Sequence, residues 1–155
     1  MLAARAFAKR RCLIPADGYF EWYLPAGAGG VPGAAKPRKQ PYFIHRSDGE
    51  PLAFAGLWEE WRGPDRSGDQ RLRSTTIITT EANALMAPIH DRMPVILQPA
   101  DHAAWLGEQA KAEDLKALLK PLPEDLMERY RVSLRMSNAR NEGEECMVPW
   151  SWDLL

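Results

Sequence analysis

Histidine and cysteine are scarce in this chain of 155 residues, with three of the first and two of the second. Cys12 and Cys146 lie far apart, and no Cys or His cluster has ligand spacing, so neither a metal site nor a disulfide framework is predicted. Two reduced thiols point to a cytoplasmic protein. An excess of one charge is also missing: 20 basic residues face 21 acidic ones, for a net charge of −1. Bulk charge therefore does not advertise a polyanion partner, although a local basic face could still read phosphates. No apolar run approaches the roughly 18 residues of a membrane span, so no membrane partner is expected. The N-terminal stretch ends in Lys9-Arg10-Arg11, the wrong end for the charge of a signal peptide. It reads as a helix over residues 3–10 taken from a longer chain. No Ser sits in a Gly-x-Ser-x-Gly elbow, and the glycines of residues 24–40 lack phosphate-loop spacing. Lys36, Arg38 and Lys39 give that segment a basic tip.

What the chain does have is 13 prolines, 11 glycines and six tryptophans. Length and ordinary composition predict one domain, residues 1–155. The proline and glycine content favours a β-rich, loop-rich body over a helical bundle, and the fold expected is α+β, mostly antiparallel β, with barrel-like curled sheets and short peripheral helices. Strands are expected at Cys12–Pro15, Tyr19–Tyr23, Pro41–Arg46, Pro51–Trp58, Arg71–Thr80 and Tyr130–Met136. Residues 24–40 read as a hairpin excursion, and Ser47-Asp48-Gly49-Glu50 as a hairpin turn between two of these strands. Glu59–Gln70 reads as a loop and Glu81–Met86 as one helical turn. A short helix is expected from Pro99, and an amphipathic one over Lys111–Leu119. His45 on a strand and His102 on a helix surface are not expected to be ligands.

Two stretches carry chemistry. In Ala87-Pro88-Ile89-His90-Asp91-Arg92-Met93-Pro94, two prolines bracket an imidazole, an acid and a base. Proline removes a donor and fixes φ, so the segment is a rigid loop rather than a helix or a central strand. His90 is either a held acid/base or a residue that only ties the loop to itself. In Tyr19-Phe20-Glu21-Trp22-Tyr23, period two puts Tyr19, Glu21 and Tyr23 on one face. Glu21 is either an exposed surface acid or a ring-walled carboxylate whose proton affinity rises by desolvation. Together they offer an acid/base pair with no visible nucleophile.

Arg11-Cys-Leu-Ile-Pro-Ala-Asp-Gly-Tyr-Phe-Glu-Trp22, Thr79-Thr-Glu-Ala-Asn83 and the block Ala87–Pro94 resemble, in order and spacing, the signature blocks of the SOS response-associated peptidase family. A weaker match runs through Pro41–Ile44 and Val132–Gly143. The resemblance implies a partner, single-stranded DNA with abasic sites, and no cofactor. It implies a covalent thiazolidine link, closed on the open-ring aldehyde by the amine and thiol of a Cys left first when the initiator Met is removed, and an autopeptidase activity. It further implies catalytic roles for Glu21, which manages the amine proton, and His90, which assists sugar ring opening, and DNA contacts for Thr79 and Arg92. The chain departs from the family by opening Met1-Leu2 and by lacking the upstream Asn-Ala-Arg-x-Glu-Thr block; Asn138, in Ser137–Glu142, is not its replacement. It is therefore expected to be a member missing its N-terminal part, unable by itself to cross-link, with exposed sheet edges that invite self-association. The alternatives are a non-catalytic single-stranded DNA-binding domain and a generic peptide hydrolase.

Overall fold

The computed structural model describes residues 2–24, 38–62 and 71–150. In chain order the elements are α1 (Leu2–Lys9), β1 (Arg11–Ala16), β2 (Tyr19–Tyr23), β3 (Gln40–Arg46), β4 (Leu52–Arg62), β5 (Arg71–Ile77), β6 (Thr79–Glu81) and β7 (Arg92–Pro94). After them come α2 (Pro99–Leu106), α3 (Ala112–Ala117) and β8 (Met127–Arg131), followed by short 3₁₀ turns. The strands form three sheets with the orders β1-β4-β5, β2-β3-β8 and β6-β7, and the pairs β1–β4, β4–β5, β2–β3 and β3–β8 are antiparallel. The mixed, mainly antiparallel class is as expected. Among the described residues the strand orders are open, and the sheets are not closed into a barrel. Among the described residues no helix is long and apolar enough to cross a membrane.

The chain clusters into two compact units that interleave in sequence. The first comprises Met1–Ala16, Leu52–Glu81 and Met93–Leu122, and the second Asp17–Pro51, Ala82–Arg92 and Pro123–Leu155. In the first unit Ala55, Val95, Leu97, Trp105 and Leu115 form a buried cluster. Trp105 is fully buried, and its indole N–H donates to the Cys12 carbonyl at 3.0 Å, which satisfies its one polar atom. Arg11 ties the same unit together. Its guanidinium donates to Phe7 and Ala8 carbonyls at the end of α1, and to Trp105 and Gly107 carbonyls at the end of α2. One cation thus serves the negative ends of two helices at once. The single amphipathic helix expected near Lys111–Leu119 is α3, with Leu115 buried.

The second unit is organised by β2-β3-β8. Phe20, Phe43, His45 and Tyr130 make a ring cluster on one face, with centroid separations of 5.1 to 5.7 Å. His45 is a member of that cluster, and its Nδ1 lies 2.8 Å from the Arg46 carbonyl, in keeping with a structural histidine. Gly18 enters β2 where there is no room for a side chain: an added Cβ would stand 2.5 Å from the Ile44 carbonyl oxygen.

Several boundaries differ from expectation. Gly49 has φ +76°, as the turn chemistry requires. Yet the turn does not make a hairpin, because β3 pairs with β2 and β8 while β4 pairs with β1 and β5. Strand β4 runs on to Arg62 through residues expected to be loop, and Glu60 there pairs with Arg73 of β5; residues 63–70 lie outside the described set. The last strand ends at Arg131, and Leu134–Ser137 is instead a 3₁₀ turn in which Ser133 Oγ accepts the Arg135 N–H at 3.3 Å. Residues 84–89 form successive turns rather than a helix. Most of the predicted excursion, with Lys36 in its basic tip, falls in 25–37, outside the described residues.

Candidate active site

Glu21 sits at the centre of β2, opposite Tyr42 of β3, which in turn lies opposite Arg131 of β8. Side chains of directly paired residues share a face. The face bearing Glu21 therefore also carries Tyr19, Tyr42, Arg129 and Arg131, while Phe20 and Trp22 turn to the ring cluster side. Glu21 is half-buried, and its Oε1 accepts the Trp22 backbone N–H at 3.1 Å. The Tyr19 phenol is held far above its ordinary pKa, first by burial and then by the negative charge of Glu21. A neighbouring anion disfavours a phenolate, so Tyr19 stays a neutral wall beside the carboxylate. Trp22 points its indole N–H at Ser137 Oγ, 3.1 Å away.

His90 belongs to the same unit as Glu21, and no hydrogen bond or ion pair joins the two side chains among the described residues. Its loop is built on Asn83, the one buried polar side chain among the described residues, at 8% exposure. Asn83 Oδ1 accepts the Met86 N–H at 2.9 Å, and its backbone carbonyl accepts the Ala87 N–H at 2.9 Å. The Met86 carbonyl then accepts the N–H groups of Ile89 and His90 at 2.8 and 3.0 Å. Short polar side chains that satisfy nearby backbone donors in this way stabilise tight turns. The loop is closed where Ala82 N–H donates to the Asp91 carbonyl at 3.0 Å.

The imidazole itself is exposed, with its Nδ1 held among three atoms. Arg92 N lies at 3.0 Å, Arg92 O at 3.2 Å and Asp91 Oδ1 at 3.1 Å. A bare Nδ1 accepts the Arg92 N–H; a protonated Nδ1 donates to the Asp91 carboxylate or the Arg92 carbonyl. Either protonation state keeps a partner, so the ring can gain or lose a proton without reorienting. Nε2 has no partner among the described residues.

Thr79 and Arg92 are both exposed, on β6 and β7. His102 Nε2 lies 3.2 Å from the Leu97 carbonyl, a structural contact. Cys12 faces Gly56, where its Sγ would lie 2.8 Å from an added Cβ, and burial raises its thiol pKa. Asn138 forms an exposed turn, its Oδ1 accepting the Arg140 N–H at 3.1 Å. No group of three or more His, Cys, Asp or Glu side chains converges among the described residues. Asn83 and Gly18 were quoted only as members of the signature blocks, with no role of their own expected, and the pair Arg129 and Arg131 was not singled out by sequence. An Asn three positions before Met86 was the available signal for the first.

The family model for SOS response associated peptidase (SRAP) matches residues 3–139. The chain is 37% identical over 142 residues to abasic site processing protein YoqW of Bacillus subtilis, covering 91% of this chain and 58% of that protein. It is 33% identical over 166 residues to abasic site processing protein HMCES of Xenopus tropicalis, covering 94% of this chain and 45% of that protein. A crystal structure of a protein from Bacteroides thetaiotaomicron superposes with a TM-score of 0.81 at 26% identity, over 95% of this chain and 60% of that one. The chain thus spans about half the length of these curated relatives. With a family model matched along most of its length and both long signature blocks present, the chain belongs to the SOS response associated peptidase (SRAP) family.

Proposed function

We propose that this chain processes abasic sites in single-stranded DNA, using His90 and Glu21 to move protons. An abasic deoxyribose is mostly a closed hemiacetal. Opening it requires a proton to leave the anomeric hydroxyl and one to reach the ring oxygen. His90 is suited to that exchange, because Nδ1 keeps a partner in both protonation states and Nε2 is left for the sugar. That arrangement is the observation that carries the reading. Glu21, half-buried beside the Tyr19 phenol, takes the proton of an attacking amine. Thr79 and Arg92, both exposed, contact backbone phosphates.

In the full reaction the amine and thiol of an N-terminal Cys add to the sugar aldehyde, water leaves, and a thiazolidine ring forms at C1′. The same groups remove the leader residue that precedes that Cys. The sequence of residues 1–155 reads Leu2 after Met1. Cys12 does not supply that amine and thiol: its amine is locked in a peptide bond and burial raises its thiol pKa. Residues 1–155 supply binding and ring opening in this reading, and ring closure is the work of the N-terminal Cys. The two reduced thiols suit a cytoplasmic setting.

Mass spectrometry after incubation with an abasic single strand tests this directly. The expected result is that residues 1–155 form no adduct that survives without borohydride. An adduct stable without borohydride contradicts the assigned division of roles. The second reading, a non-catalytic single-strand binder, is favoured by the exposed cations Arg92 and Arg131. It requires equal affinity for intact and abasic strands, whereas the proposed function requires tighter binding of the abasic one.

A further inference from the structure

Sheet β2-β3-β8 carries two arginines that the reaction above does not use. Arg129 and Arg131 are two positions apart on β8, so both side chains leave the Glu21 face. Both converge on Tyr42. The Arg129 guanidinium carbon lies 5.5 Å from the centroid of the Tyr42 ring. Arg131 Nε donates to the Tyr42 hydroxyl at 3.2 Å. Tyr42 is the direct cross-strand partner of Glu21. Carboxylate, phenol and guanidinium therefore stand in one row across three strands spaced about 4.8 Å apart.

Among the described residues no ion pair neutralises these two charges. Nη1 of Arg129 is buried and has no hydrogen-bond partner among the described residues. A buried donor without an acceptor is costly, and a guanidinium offers its donors in a planar fork that matches two oxygens of one anion. No hydrogen bond or ion pair joins Glu21 to either guanidinium among the described residues, and its Oε1 accepts the Trp22 N–H. Arg131 is exposed while Arg129 is half-buried, so an anion can reach the row from the solvent side.

We infer that Arg129 and Arg131 form a phosphate clamp that holds a phosphodiester of the DNA strand beside the nucleotide meeting Glu21. The inference rests on the proposed function above and adds a binding element to it. A phosphodiester presents two non-bridging oxygens, enough to accept from both guanidinium forks at once. Phosphate contacts fix register without reading sequence. An abasic nucleotide offers no base to read, so a backbone clamp is the form of recognition left to it.

The test is fluorescence anisotropy of the 155-residue chain with labelled single strands, matched except for one abasic site, over a KCl series. Each phosphate contact on a single strand contributes about 0.7 to the slope of log affinity against log salt. Arg131→Gln is expected to flatten the slope by about 0.7 and to weaken binding about fivefold at 0.1 M salt. Arg129→Gln changes both in the same direction. Arg131→Lys keeps the slope, because charge is retained, while losing affinity with the fork. Tyr42→Phe, which removes only the hydroxyl that orients Arg131, weakens binding at constant slope. Arg131 is exposed, so its variants fold and the result is readable. Unchanged slope and affinity in both Gln variants overturn the clamp. Flattened slopes with equal wild-type binding of the two strands uphold the clamp and overturn the abasic-site reading. A wild-type preference for the abasic strand with unchanged slopes does the reverse.

Discussion

Replacing Gly18 with Ala places a methyl group where the second unit has least room. The added Cβ would stand 2.4 Å from Phe43 Cζ, 2.6 Å from Phe43 Cε2 and 2.5 Å from the Ile44 carbonyl oxygen. The carbonyl belongs to the β2–β3 ladder, where Tyr19 pairs with Ile44, so it cannot retreat without breaking that register. The ring can retreat only by leaving Phe20, His45 and Tyr130. Overpacking of this kind costs about 1–3 kcal/mol, and lost ring contacts add about 0.5–1.5 kcal/mol each. A loss of about 3 kcal/mol is expected, which moves a urea midpoint by about 1.5 M at a slope near 2 kcal/mol/M. Gly49 is the control. It has φ +76° and nothing within 4 Å of its added Cβ, so Ala there meets only left-handed backbone strain of about 1 kcal/mol. If Gly18→Ala shifted the midpoint no more than Gly49→Ala, the crowding argument would be refuted. Because Gly18 opens the strand that carries Glu21, the same variant should also weaken binding to abasic DNA.

Three further outcomes follow from the same geometry. Arg11→Ala should lower stability by about 3 kcal/mol, since it strips four carbonyls at two helix ends of a charged donor; Arg11→Lys should recover part of that, and thermal unfolding measures both. Asn83→Ala should cost about 2 kcal/mol through loss of a buried turn bond, and should speed amide exchange at Ile89 and His90 more than at the β2–β3 ladder. Burial raises the Cys12 thiol pKa, so at pH 8 less thiolate is present than in a free cysteine, and iodoacetamide should label Cys12 more slowly than a model peptide; labelling as fast as the peptide would contradict the raised pKa.

Local patterns were legible where the physics is local. The alternation in Tyr19–Tyr23 correctly assigned β2 and its two faces, because side-chain direction in a strand has period two. Turn chemistry correctly placed a positive φ at Gly49. Partner choice was not legible. The turn after β3 looks like a hairpin, yet both edges of β3 are taken by β2 and β8, and no local signal reports such long-range pairings. The polar run Glu59–Arg62 read as loop because its strand character depends on Arg71 and Arg73 placing their charges beside Glu60. The histidine loop was recognised by its prolines, whereas its anchor, Asn83, was hidden because an Asn cap is visible only once its backbone partners are known. Arg129 and Arg131 gave no signal at all in a chain with a net charge of −1, since their meaning comes from sharing a face with Glu21.

The central claim is that His90 opens the sugar. The most direct measurement is exchange between the two anomers of a ¹³C1′-labelled abasic site, followed by NMR in an oligonucleotide bound to the chain. Anomers interconvert only through the open aldehyde, so the exchange rate reports ring opening without needing a nucleophile. Wild type should raise that rate above free DNA, Glu21→Gln should leave it raised, and His90→Ala should return it to the free value while binding persists. An exchange rate on wild type no faster than in free DNA, or a His90→Ala variant as fast as wild type, would contradict the account.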